Sequence, residues 1–93
     1  MLKAMQVFQA MKNYNHNNPE SGAWLLSAKG DTVSVEIKTG CSCKYAALGH
    51  VYEFRSELES SASQPFCIER IRKLEKDSYL VRFLAIEKEV LRH

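Results

Sequence analysis

The chain has 93 residues, 45% hydrophobic and 26% charged, with a formal charge of +2. That length holds one domain, 1–93, near the lower limit for a self-sufficient core, and association into a homodimer is a common remedy at this size. The apolar fraction excludes a disordered chain, and the small charge argues against a module with a strong basic stripe.

Residues 2–14 have helical spacing. Ala4, Val7, Phe8, Met11 and Tyr14 recur at steps of three and four and predict one apolar stripe. The segment from Met1 to Phe8 lacks the apolar core of a secretory leader, and no run is long enough to cross a bilayer. With three cysteines, an odd count unsuited to a closed disulfide framework, the expectation is a cytoplasmic protein with no membrane association. Asn13 to Gly22 reads as a loop, since Asn15 to Gly22 contains no apolar residue and several turn formers.

Residues 23–38 predict a β-hairpin turning at Lys29-Gly30-Asp31. In its second strand Val33, Val35 and Ile37 alternate with Ser34, Glu36 and Lys38, the clearest strand pattern in the chain. Thr39 to Leu48 reads as an irregular connection, and His50 to Leu58 as a third strand. Glu59 to Gln64, rich in serine, reads as a loop ended by Pro65.

Phe66 to Leu74 and Tyr79 to Ile86 predict a second hairpin turning at Glu75–Ser78, with helical spacing as the competing pattern. A short C-terminal helix is expected over Ile86–Leu91. The fold class is therefore α+β: an N-terminal helix, a four- to five-stranded antiparallel sheet or partly open small barrel, and a short C-terminal helix. No internal repeat of useful length is evident in the sequence.

Cys41 and Cys43 stand one residue apart. In an extended segment both thiols point the same way, and with His50 and Cys67 they form a chemically complete four-ligand set for zinc. The spacing is tighter than ordinary zinc sites, and free cysteines more often pack as small hydrophobes. A redox pair would be a strained ring without the Cys-x-x-Cys helix start. No nucleophile elbow, phosphate loop, dinucleotide fingerprint or zinc-protease motif occurs, so no enzyme activity and no cofactor are expected.

For nucleic acid, Tyr45, Tyr52, Phe54 and Tyr79 are available aromatics. Lys38, Lys44, Arg55, Arg70, Arg72 and Lys73 are available cations, opposed by interleaved glutamates. For a protein partner, Tyr14 and Trp24 are of the type favoured at interface centres. The expectation is a small non-enzymatic binding or regulatory protein acting through a protein partner as a homodimer. Its candidate contacts are Tyr14, Trp24, Lys44, Tyr45, Arg70 and Arg72. A nucleic-acid-binding small β-barrel is the alternative, and a zinc-stabilised domain the third possibility.

Overall fold

The computed structural model describes residues 3–40 and 44–86, with the backbone alone at 44 and 45. The element order is α1 (Ala4–Asn17), β1 (Gly22–Lys29), β2 (Thr32–Lys38), α2 (Lys44–Ala62), β3 (Phe66–Glu75) and β4 (Ser78–Ala85).

Helix α1 runs three residues beyond the predicted end. Side chains hold that last turn. Asn15 accepts the Ala23 N–H at 2.7 Å and donates to the Ala23 carbonyl at 3.1 Å. Asn18 donates to the Tyr14 carbonyl at 2.9 Å, satisfying one of the acceptors a helix end leaves open. At the other end the Gln6 side chain accepts the Lys3 N–H at 3.1 Å. The buried stripe is Val7, Ala10 and Tyr14, whereas Ala4 and Phe8, expected to be buried, are exposed.

The first hairpin forms as expected. Gly30, at φ +62, supplies the left-handed conformation its tight turn needs. Val33, Val35 and Ile37 are fully buried. A bulge between Leu25 and Ser27 turns Leu26 out to solvent.

The predicted third strand over 50–58 is instead the middle of α2, which also takes in much of the irregular 39–48 connection and of the 59–64 loop. Ala47, Val51, Phe54, Leu58 and Ala62 are buried at steps of three and four, a helical stripe. The alternation of His50, Tyr52 and Phe54 fits a strand face, but Tyr52 lies on the outer side, 49% exposed. Ala, Leu, Glu and Arg supply nine of its 19 residues, and all are strong helix formers. Ser63, at φ +54, follows the last turn.

The second hairpin also forms, with Glu75 paired to Ser78 across a two-residue turn. Ile86 has no regular structure, and the rest of the expected C-terminal helix lies outside the described residues. The four strands form one open antiparallel sheet in the order β1-β2-β4-β3. It is not a barrel, because β1 and β3 are edges, and no fifth strand occurs among the described residues. Also among the described residues, no helix is long and apolar enough to cross a membrane.

The chain is thus two helix-hairpin halves, α1-β1-β2 and α2-β3-β4. Exchanging them maps the strand order onto itself, with Val35 opposite Val81 at the centre. A small detail repeats too: Glu59 accepts the Phe66 N–H at 2.8 Å, as Asn15 does for Ala23. Each first strand is therefore tied to its preceding helix by a side-chain acceptor.

Both helices lie on one face of the sheet, over a core that joins Tyr14, Phe54, Ile37, Val81 and Phe83. Tyr14 meets Phe54 edge-on at 5.5 Å, and Phe54 stacks on Phe83 at 5.6 Å. Such pairs add about 0.5–1.5 kcal/mol beyond area burial. The other face of the sheet carries no helix among the described residues.

Candidate docking face

Directly paired residues in an antiparallel sheet share a face. The register therefore fixes what the bare face presents. One row across the sheet is Trp24, Glu36, Leu80 and Arg72. The next is Ser27, Ser34, Arg82 and Arg70. Beyond it, Lys29, Thr32, Leu84 and Cys67 close one end, and Gly22, Lys38, Ser78 and Glu75 form the row at the other.

Arg70 and Arg82 stand directly opposite each other, and Arg72 is two residues along the same strand face. With Leu80 they line a groove of about 100 Å³. Like charges placed directly across a sheet destabilise it. Relief is partial: Glu69 approaches Arg82 at 3.7 Å, both half-exposed, a pair worth only some tenths of a kcal/mol. Among the described residues, neither Arg70 nor Arg72 has a carboxylate within ion-pair distance.

At the opposite edge Trp24 is 51% exposed. A Cβ at Gly22 would sit 2.9 Å from Trp24 Cη2, so the indole lies over the bare backbone of Gly22. Any side chain there would displace it. A ring held this way offers a large contact area at low conformational cost.

A second polar feature lies on the helix side. The Tyr14 hydroxyl shares a 2.8 Å hydrogen bond with His50 Nδ1 and lies 3.3 Å from the Ser21 hydroxyl. Burial pushes the Tyr14 pKa above its usual value; the Ser21 hydrogen bond opposes the rise and the charge of Glu53 adds to it. Asn18 links Glu53 to the end of α1. The adjoining cleft, about 260 Å³, is lined by Asn18, Ser21, Thr39 and His50 among others. Here the polar groups satisfy one another, and their evident work is to pin the 18–22 loop to α2.

Three of the expected contact residues, Trp24, Arg70 and Arg72, come to the bare face. Tyr14 does not: it is fully buried. Lys44 and Tyr45 begin α2, where only the backbone is described. Among the described residues the aromatics available for nucleic acid do not share a surface. Phe54 and Tyr79 are core, and Tyr52 sits on the outside of α2 under the Arg55 guanidinium at 5.2 Å. Of the four candidate zinc ligands, Cys41 and Cys43 lie outside the described residues. Cys67 faces the bare side between Phe66 and Ile68, while His50 belongs to the helix layer. Among the described residues no group of three His, Cys, Asp or Glu is placed to hold a metal.

Arg82 and Leu80 were not identified from sequence. Arg82 lies between two core residues, Val81 and Phe83, and its alternation marks it as outward-facing. Only the pairing of β3 with β4 shows that it meets Arg70. Compared with known proteins, the chain matches no family model and no curated protein.

Proposed function

We propose that this is a small non-enzymatic binding protein acting through a protein partner, with the bare sheet face as its docking surface. The observation that carries the reading is the arginine corner, Arg70 opposite Arg82 with Arg72 beside it, where among the described residues Glu69 on Arg82 is the one carboxylate within ion-pair distance. A fold that keeps like charges in register loses stability unless something anionic meets them. Arg and Trp are also the side chains most often found at the energetic centre of protein interfaces, and Trp24 shares this face. A cytoplasmic setting belongs to the same proposal, since the free Cys67 thiol stays reduced there.

Quantitative capture from nuclease-treated extract of the native host tests the reading. Wild type is expected to retain a specific protein that Arg70→Glu combined with Arg72→Glu does not. Equal recovery by both, or a turnover that depends on His50, would contradict it.

A further inference from the structure

We propose that the outer edge of β3 takes an extended acidic segment of a partner protein as an added strand, with alternate carboxylates of that segment on Arg70 and Arg72. The proposal rests on the docking reading above and names the partner's chemistry.

The edge itself is the first support. Among the described residues β4 is the ladder partner of β3, and between the irregularities at 68/70 and 73/75 the regular stretch Arg70–Lys73 turns its other backbone groups away from the sheet. Such an edge is a template for an incoming strand. Its side chains then set the incoming pattern. Arg70 and Arg72 project to the bare face, and Ile71 between them projects to the helix side, 40% exposed. A strand laid beside β3 places its side chains about 4.5–5.5 Å from these three. The complementary segment is acidic, apolar, acidic: two carboxylates for the arginines and one aliphatic side chain for Ile71.

Charge disfavours a second copy in the registers that bring the arginines of two β3 strands together. Antiparallel pairing of two β3 strands about an axis normal to the sheet keeps like faces together. A register centred on residue 72 sets Arg72 on Arg72. One centred on 71 sets Arg70 on Arg72, and one centred on 73 sets Lys73 on Lys73. Each juxtaposition is repulsive.

A nucleic-acid strand fits less well than a peptide. A phosphate track from Arg72 to Trp24 would cross three strand spacings, about 14 Å, and pass over Glu36. The peptide needs only the corner where the three arginines already are.

The test uses the whole chain and a short labelled peptide with Glu-Val-Glu at its centre, flanked by Ser and Thr. Fluorescence anisotropy reads affinity, and amide hydrogen exchange reads β3. The peptide is expected to bind, with affinity falling about tenfold or more in Arg70→Glu combined with Arg72→Glu. The β3 amides that do not pair with β4 should gain protection. Circular dichroism confirms that the variant, altered only at exposed positions, is folded. Binding that depends on both arginines but leaves β3 unprotected overturns the added strand and leaves the docking face standing. Binding that ignores the substitutions, or a preference for single-stranded DNA over the peptide, overturns both. Absence of peptide binding overturns the added strand, while capture from extract decides the docking face independently.

Discussion

Arg70 and Arg82 occupy directly opposed positions on adjacent antiparallel strands, so two cations face each other on the open side of the sheet. Arg70→Glu converts the repulsive pair into an attractive one. The variant is expected to be more stable than wild type by about 0.5–1 kcal/mol, read from urea denaturation at low salt, with the gain shrinking as salt rises. A position that improves stability when reversed, yet removes binding, is one kept for contact rather than for folding.

The buried Tyr14 hydroxyl is held by His50 and Ser21. Tyr14→Phe keeps the ring packing but leaves His50 Nδ1 without its partner, at a cost of about 1–2 kcal/mol at neutral pH. The raised folded-state pKa also fixes a pH dependence. Below the usual tyrosine value, about 10, both states are protonated and this group contributes no slope. Above it the unfolded chain releases the proton first, so wild-type stability falls as pH rises toward the folded pKa. Tyr14→Phe lacks this loss. Denaturation curves measured from neutral pH to above pH 10 should therefore show the two proteins converging.

The two aromatics of α2 have opposite fates. Phe54 is fully buried between Tyr14 and Phe83, and Phe54→Ala is expected to lose about 3–5 kcal/mol. Tyr52, two residues earlier, faces solvent, and Tyr52→Ala should change stability by less than about 1 kcal/mol. Thermal melts of the pair test the helical assignment, because a strand would place both residues on one face.

Gly40 and Gly30 both have positive φ, at +75 and +62. A Cβ at Gly40 would lie 2.8 Å from the Glu20 carbonyl oxygen, whereas at Gly30 it would meet open space. Gly30→Ala is expected to cost about 1 kcal/mol from backbone strain alone. Gly40→Ala should cost more, since the 18–21 loop must also move. Denaturant midpoints of the two variants give the comparison.

The first hairpin was legible because Val33, Val35 and Ile37 alternate strictly beside a glycine turn, a local pattern with one solution. The second was legible once strand-forming residues were weighed against helical spacing. Helix α2 was misread because a window centred on His50, Tyr52 and Phe54 fits a strand. The stripe from Ala47 to Ala62 shows itself only over a longer span. The site was half legible. Trp24, Arg70 and Arg72 stand out by type, but Arg82 joins them through strand pairing, which no local pattern encodes. Tyr14 misled for the opposite reason, because its polar end finds partners from α2 and the 18–22 loop and allows complete burial.

The most direct test of the acidic docking edge is a charge exchange. Wild type and Arg70→Glu/Arg72→Glu are each titrated with the Glu-Val-Glu peptide and with its Lys-Val-Lys counterpart, at the same ionic strength. Matched opposite charges should bind in both pairings and the crossed pairings should bind at least about tenfold more weakly. Retention of the acidic peptide by the reversed variant, with no gain for the basic one, would contradict the assignment of Arg70 and Arg72 as the docking contacts.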